Sequence, residues 1–77
     1  MTLSEAVGKR IEKLLKERGI TQYKLCKDGG ISRATISVTT NAKYKTVKLD
    51  TIYQVVATLG ISLKDFFDDE LFSCLED

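Results

Sequence analysis

Three glycines divide this chain into short segments. Gly19, Gly30 and Gly60 each follow a run of helix-forming residues, where glycine readily adopts the left-handed conformation that ends a helix. A residue that can cap the next helix stands two positions after each glycine, at Thr21, Ser32 and Ser62. The pattern therefore predicts short helices joined by tight connections along the 77 residues.

Apolar residues recur at helical spacing between these signals. Two such stripes are Val7, Ile11, Leu14 and Leu15 in the first segment and Leu49, Ile52, Val55, Val56 and Leu59 in the fourth. The predicted helices cover 5–18, 22–28, 33–40, 49–59 and 63–72. Asp50 or the residue before it should lie near the cap of the fourth helix, and Ser62 with Asp65 should cap the fifth. The run VVATLGIS could form a short strand, but no other segment is suited to pair with it. We therefore predict an all-α fold, a compact bundle of five helices.

The charges are distributed unevenly along the chain. Residues 1–48 contain eleven Lys and Arg against four acidic residues, whereas residues 49–77 contain one Lys against seven. Hydrophobic residues make up 43% of the sequence and charged ones 30%, as in a folded domain. The asymmetry favours one surface for a polyanion and another turned away from it. An uneven but merely solvated surface is the alternative.

Several functional classes find little support. The chain has no His, and its two cysteines, Cys26 and Cys74, make neither a disulfide framework nor a zinc site. Cys26 should be a compact core residue and Cys74 a bystander. The acidic residues Asp65, Asp68, Asp69 and Glu70 could suggest a metal site, but a solvated acidic helix start explains them better. We therefore predict no cofactor, no metal and no enzyme. With neither a signal peptide nor a membrane span in view, a cytoplasmic location is the expectation.

The stretch GGISRATISV, residues 29–38, predicts a helix-turn-helix unit. Gly30 suits the tight turn, and Cys26 is small enough for two helices to cross closely. Leu25, Ile31 and Ile36 should form the apolar contact between them. The free face of the second helix carries Arg33, Ala34, Thr35, Ser37 and Val38. Short side chains of this kind let a helix enter the major groove, and Arg, hydroxyls and methyls can read base edges there.

The segment TQYKLCKDGGISRATIS resembles the helix-turn-helix of the lambda-repressor-like (XRE-type) family of bacterial and phage DNA-binding regulators. The similarity continues through LDTIYQVVATLGISLKDFF and covers residues 7 to about 67. It implies a single DNA-binding domain over residues 1–77, with the motif at about 21–40 and an acidic C-terminal helix and tail at about 62–77. Helices 2 and 3 would form the helix-turn-helix.

The resemblance also implies roles for individual residues. Gln22 would bind a phosphate at the start of helix 2, and Ser32 and Arg33 would lie at the mouth of the groove. Ala34, Thr35, Ser37 and Val38 would lie on the reading helix. The DNA backbone would be held by residues that follow this helix: Asn41, Lys43, Tyr44 and Lys45. Each of these side chains could instead be an ordinary surface residue.

The sequence departs from the family pattern at the end of helix 3. The family often places an Arg late in helix 1 and a Glu after the reading helix, where this chain has Leu15 and Thr40. Both charges are replaced together, so neither would be left buried without its partner. Thr39 and Ala42 replace a usual apolar residue and a usual Gly. A looser or differently packed end of helix 3 is therefore expected.

The apolar residues near the C terminus suggest self-association. Phe67, Leu71, Phe72 and Leu75 are predicted dimer contacts, with closure of the small core as the alternative. Taken together, these features predict a sequence-specific double-stranded DNA-binding transcriptional regulator. A repressor that binds an inverted repeat as a homodimer is the expected form. The rival is an antitoxin or adaptor module that uses the same fold to bind a protein partner.

Overall fold

The computed structural model describes residues 1–76 and consists of helices joined by short connections. The α-helices are α1 (Leu3–Arg18), α2 (Gln22–Gly29), α3 (Arg33–Thr40), α4 (Leu49–Leu59) and α5 (Leu63–Phe67), followed by a 3-10 helix (Glu70–Phe72). No strand occurs in this part of the chain. The predicted all-α, five-helix fold is confirmed. Asp77, at the end of the predicted acidic tail, lies outside the described residues.

A Gly-Ile-Ser/Thr unit at three positions sets the helix boundaries. The glycines Gly19, Gly30 and Gly60 have φ angles of 65°, 63° and 74°. The isoleucine after each glycine donates its N–H to the preceding helix, with distances of 3.0, 3.1 and 3.0 Å for Ile20, Ile31 and Ile61. The hydroxyls of Thr21, Ser32 and Ser62 then accept an N–H from the first turn of the following helix. Each unit therefore ends one helix and begins the next.

The core lies where the inner faces of the helices meet. α1 packs against α3, α2 against both α3 and α4, and α4 against α5. The largest fully buried side chains come from all five helices: Phe66, Ile11, Leu25, Ile36, Val7, Val55 and Val56. Their burial is the main favourable term in the stability of a domain of this size.

Two sequence predictions about α4 and α5 are wrong in detail. Leu49 is 61% exposed instead of facing the core, because the helix begins there and its buried stripe starts at Ile52. The N-cap is Lys48, so Leu49 and Asp50 lie next to the cap as predicted, although Lys48 makes no side-chain capping bond. The predicted helix over 63–72 ends at Phe67, since Asp69 adopts an extended conformation with φ −155°.

A buried arginine explains this break. Arg10 on α1 is only 8% exposed. Its Nε donates to the carbonyl of Phe66 at 2.7 Å, one terminal nitrogen donates to the carbonyl of Asp65 at 2.9 Å, and the other lies 3.2 Å from the Asp69 carboxylate. These bonds use carbonyls at the end of α5. The chain then turns so that the carboxylate of Asp69 reaches α1.

Asp69 is therefore not the solvated acidic residue that the sequence suggested. Its side chain is 8% exposed and also accepts Lys13 Nζ at 2.7 Å and the N–H of Leu71 at 2.9 Å. The hydrogen bonds from Lys13 and from the Leu71 backbone hold the pKa of Asp69 below its usual range. The ionised form of this carboxylate is thus favoured by folding.

A pH dependence of stability follows from this lowered pKa. An unfolded Asp titrates near pH 3.9, so the contribution of Asp69 is complete above about pH 5 and is lost as pH falls through its lower folded pKa. Urea unfolding between pH 7 and pH 2.5 should show a steeper acid loss in the wild type than in Asp69→Asn. Asp68→Asn is the matched control, because Asp68 is exposed, and it should follow the wild type. Equal acid slopes for the wild type and Asp69→Asn would contradict this assignment.

Gly8 allows α1 to approach the end of α3. A Cβ at this position would lie 2.6 Å from the carbonyl oxygen of Thr40 and 2.9 Å from that of Thr39. Both atoms belong to the backbone, so relief would require α3 to move. The close contact explains why a glycine occupies the interior of α1 despite its low helix propensity.

Gly8→Ala is expected to destabilise the domain by about 1–2 kcal/mol. Helix propensity alone would favour Ala by about 1 kcal/mol, but overpacking costs up to about 3 kcal/mol, and the two backbone oxygens within 3.0 Å place Gly8 near that upper end. Urea denaturation should be compared with the pair Lys9→Ala and Lys9→Gly, at the exposed neighbouring position. At position 9, Ala should be the more stable residue. The same preference at position 8 would show that the close approach carries no energetic weight.

Candidate nucleic-acid interface

The contact between α2 and α3 is built from the residues that the sequence indicated. Leu25 and Ile36 are fully buried, Ile31 is 6% exposed and Cys26 is 7% exposed. Cys26 is a free thiol, and the exposed Cys74 is free as well. The small Cys26 side chain and the left-handed Gly30 together allow α3 to follow α2 after a tight turn.

The opposite face of α3 is turned to solvent. Arg33, Ala34 and Ser37 are exposed, whereas Thr35 and Val38 are half-buried. The latter two line a cavity of about 240 Å³ beneath the loop of residues 41–48. The structure therefore brings the five predicted reading residues onto one helix but places two of them on its loop side.

The hydroxyls along α3 are partly used within the helix. Ser32 Oγ accepts the N–H of Thr35 at 3.1 Å and donates to its hydroxyl at 2.7 Å. Ser37 Oγ accepts from the Asn41 amide at 3.3 Å. The hydrogens of the Thr35 and Ser37 hydroxyls have no partner among residues 1–76. Ser32 is thus chiefly a cap, while Thr35 and Ser37 keep a donor for a ligand.

Gln22 connects the two ends of the motif. It is the first residue of α2, and its Nε2 lies 3.4 Å from the hydroxyl of Thr40, the last residue of α3. Thr40 is buried and donates its hydroxyl hydrogen to the carbonyl of Ile36 at 2.9 Å. Thr40 therefore provides a neutral connection where the family often has a Glu. Leu15 is buried in the core.

The loop after α3 begins with a regular helix end, so the expected loosening is not found, whereas the neutral Gln22–Thr40 contact is the other expected outcome, a different packing. Lys43 N–H donates to the Val38 carbonyl at 3.0 Å and Ala42 N–H to the Thr39 carbonyl at 3.2 Å. These two bonds form together only when the residue after the C-cap is left-handed. That residue is Ala42, and its φ is 51°. Ala42 thus adopts the conformation that a Gly would take without strain.

Ala42→Gly is expected to stabilise the domain by about 0.5–1 kcal/mol. The left-handed conformation costs a non-Gly residue about 1–2 kcal/mol, which exceeds the extra unfolded-state entropy of glycine. Thermal and urea unfolding would measure the gain. Ala57→Gly, at an exposed position in the last turn of α4, is the control and should have the opposite sign. A loss of stability at both positions would contradict the predicted strain at Ala42.

The basic residues of this face remain available to a ligand. Arg33, Lys43 and Lys45 are exposed and form no ion pair within residues 1–76. Lys43 Nζ lies 5.8 Å from the ring centroid of Tyr44, which is exposed beside it. The predicted phosphate-binding residues Asn41, Lys43, Tyr44 and Lys45 thus share one exposed loop that follows α3.

Three residues important to this arrangement were missed by sequence reasoning. Arg10 lies within the apolar stripe of α1, three residues after Val7, and a charge at such a position could have indicated burial. Gly8 could have been noticed as a glycine inside a helical pattern. Tyr23 gave no signal: its ring lies 5.8 Å from the guanidinium of Arg33, and only the folded chain places the two together.

Other kinds of site find no support in the described part of the chain. Among residues 1–76, no group of three or more His, Cys, Asp or Glu is placed to hold a metal ion. None of the helices within these residues is both long and apolar enough to cross a membrane.

A tight helical pair that presents a small-residue helix and an unpaired basic loop defines a helix-turn-helix protein of the DNA-binding class. The sequence matches the profile of the Cro/C1-type HTH DNA-binding domain over residues 10–71, and the chain belongs to this family.

The fold of this chain is similar to the crystal structure of the prophage Lp1 protein 11, with a TM-score of 0.82 and 29% sequence identity. That similarity covers 90% of this chain and 91% of the other. Comparison with curated proteins gave no match. The match to this family confirms the resemblance inferred from the sequence. The family consists of DNA-binding regulators and not of enzymes.

Proposed function

We propose that this DNA-binding domain acts as a sequence-specific transcriptional repressor that binds an inverted-repeat operator as a homodimer in the cytoplasm. The observation that carries the proposal is the outer face of α3, which combines Arg33, a methyl at Ala34 and a free donor at Ser37. Arg33 is exposed and makes no ion pair with residues 1–76. An unpaired arginine at the start of a reading helix can bind guanine through two hydrogen bonds.

The remaining site residues would position the helix on the duplex. Gln22 at the start of α2, Ser32 at the mouth of the groove and the loop after α3 are suited to phosphate contacts. Thr35 and Val38 lie on the loop side of α3. The Thr35 hydroxyl and the methyl groups of both residues would reach base edges next to the ones that Ala34 and Ser37 contact. The loop residues in this role are Asn41, Lys43, Tyr44 and Lys45. Together these contacts would make binding strongly salt-dependent.

The proposal of a homodimer rests on the small size of a single reading helix and on the C-terminal segment. One copy reads only a few base pairs, which gives too little specificity, whereas two copies read two half-sites one helical turn apart. Phe67 and Leu75 are 36% and 38% exposed and available to a second copy. Phe72 packs on Phe66 and Phe67 with ring centroids 6.0 and 5.0 Å apart, and Leu71 is half-buried. Phe67 and Leu75 are thus the stronger dimer candidates of the four.

Selection of random double-stranded DNA by the purified protein at near-physiological salt tests this function. Enrichment of an inverted repeat, with half-site centres about one helical turn or 34 Å apart, is the expected result. Sedimentation with the selected site should show two copies per duplex. Retention of DNA without enrichment of any sequence would contradict sequence-specific regulation.

An antitoxin or adaptor role is the second candidate. Leu49 and Tyr53, one turn apart on α4, are 61% and 59% exposed, and the DNA-binding proposal assigns them no role. Exposed apolar residues at this spacing on a helix could contact a protein partner. Leu49→Ser combined with Tyr53→Ser should leave DNA binding unchanged under the primary proposal. The second candidate would be favoured by a protein partner that no longer binds this double variant but still binds a variant altered at Arg33.

A further inference from the structure

The ring of Tyr23 supports the guanidinium of Arg33. Arg33 Cζ lies 5.8 Å from the ring centroid, within the range of a cation–π contact. Tyr23 is the second residue of α2, and Arg33 is the first residue of α3. The contact therefore joins the first turns of the two helices of the motif.

Both partners are attached to well-fixed helix ends. The hydroxyl of Thr21 accepts the N–H of Lys24 at 3.1 Å at the start of α2. Ser32 caps α3 in the same way, and the fully buried Leu25 anchors α2 to the core. A tyrosine ring has only two side-chain torsions, so Tyr23 is a more rigid support than a long aliphatic side chain.

We propose that Tyr23 is a positioning residue that orients Arg33 for reading one base pair, with guanine as the preferred base. The inference rests on the proposed function, in which Arg33 contacts a base. The Tyr23 ring, 5.8 Å away, limits the orientations open to the guanidinium on that side, and Arg33 donates to no described residue, so its N–H groups are free for a base edge. Two parallel hydrogen bonds to guanine O6 and N7 need the planar guanidinium held in one orientation.

The contact should affect base discrimination more than general affinity. An arginine without a neighbouring ring loses much side-chain freedom when it binds in one orientation, whereas one held against a ring has already lost part of it. Tyr23 is neutral, so its ring releases no counterions and should leave the salt dependence of binding unchanged. A direct phosphate contact through the Tyr23 hydroxyl would instead change affinity for all sequences equally.

Four variants separate these possibilities: Tyr23→Leu, Tyr23→Phe, Arg33→Ala and the double variant Tyr23→Leu with Arg33→Ala. Each is measured against the selected operator and against operators altered one base pair at a time. Tyr23→Leu should reduce the preference for one base pair about two- to fivefold, at the same position where Arg33→Ala removes the preference. Tyr23→Phe should keep the wild-type discrimination because it retains the ring. The double variant should match Arg33→Ala.

A measurement without DNA tests the contact itself. The side-chain methylene protons of Arg33 should show an upfield ring-current shift in the NMR spectrum of the free protein, present in Tyr23→Phe and lost in Tyr23→Leu. Circular dichroism should show the same fold for all variants, since Tyr23 is 58% exposed.

The outcomes distinguish this inference from the proposed function. If Arg33→Ala removes one base preference while Tyr23→Leu leaves it intact, Tyr23 has no positioning role and the proposed function stands. A uniform loss shared by Tyr23→Leu and Tyr23→Phe would assign the hydroxyl to a phosphate contact and overturn the inference. If Arg33→Ala changes no base preference, the base-reading role of Arg33 fails and the inference fails with it.

Discussion

Charge reversal at Arg33 and Lys45 is expected to lower affinity for the selected operator by roughly 100-fold or more, with little change in stability. A base contact from Arg33 is worth about 1–3 kcal/mol, and reversing Lys45 replaces a phosphate attraction with repulsion. A combined loss of about 2.7 kcal/mol of binding free energy corresponds to a 100-fold larger dissociation constant. Both side chains are exposed and form no ion pair within residues 1–76, and the guanidinium of Arg33 lies 5.8 Å from the ring centroid of Tyr23. Fluorescence anisotropy with labelled duplex, at several salt concentrations, would measure the effect.

Lys64→Glu is the matched control for this experiment. Lys64 is exposed on α5, in the acidic half of the chain, and its reversal changes the charge by two, as does each of the reversals at Arg33 and Lys45. We expect that variant to bind within about twofold of the wild type in physiological salt, because exposed charges beyond a Debye length are largely screened. If Lys64→Glu weakens binding as much as the double reversal, net charge and not the α3 surface controls the interaction. A double-reversal variant that still binds the operator would refute the proposed site.

Arg10→Met is expected to cost about 3 kcal/mol of stability, more than Gly8→Ala. The change leaves the carbonyls of Phe66 and Asp65 without their donor and weakens the pairing of Asp69. Removing one member of a buried hydrogen-bonded ion pair costs about 3–5 kcal/mol, and the remaining bond from Lys13 to Asp69 favours the low end. Domains of this length have a total stability of about 4–12 kcal/mol, so the loss is a large fraction.

Thermal unfolding should show this loss as a decrease in Tm of about 15 °C. Lys13→Met is the matched control, because Lys13 binds the same carboxylate from a side chain that is 50% exposed. We expect a loss of less than about 1 kcal/mol there, as for other exposed ion pairs. Equal losses in the two variants would mean that the backbone bonds of Arg10 contribute little. An unchanged Tm in Arg10→Met would contradict the role of Arg10 as the link between α1 and the C-terminal segment.

The boundaries of most helices could be predicted from sequence because their signals are local. A left-handed glycine and a hydroxyl cap act on residues within one turn, so Gly30 and Ser32 define the start of α3 wherever the rest of the chain lies. The end of α5 could not be predicted in this way. Residues 63–72 have a regular helical pattern, and the break at Asp68 and Asp69 depends on Arg10, more than fifty positions away.

In the candidate site, too, the sequence predicted local features but not those that depend on tertiary contacts. Sequence placed Arg33, Ala34 and Ser37 on a free face of a helix, and the structure confirms that these side chains are exposed. The half-burial of Thr35 and Val38 could not be predicted, because it depends on how the loop after α3 returns to α4. The DNA contacts assigned to these residues stay predictions for the binding experiments to test.

Sequence alone thus determined the order of the helices, the helix-turn-helix and the face of α3 that is left free. These properties follow from backbone preferences and apolar periodicity, which act between neighbours in the chain. Only the tertiary structure decided that Arg10 holds the end of α5, that Gly8 lies against α3 and that Tyr23 lies beneath Arg33. Each of these contacts joins residues that are distant in sequence or belong to different helices. They exist because packing of the shared core fixes the relative positions of those helices, which no local preference specifies.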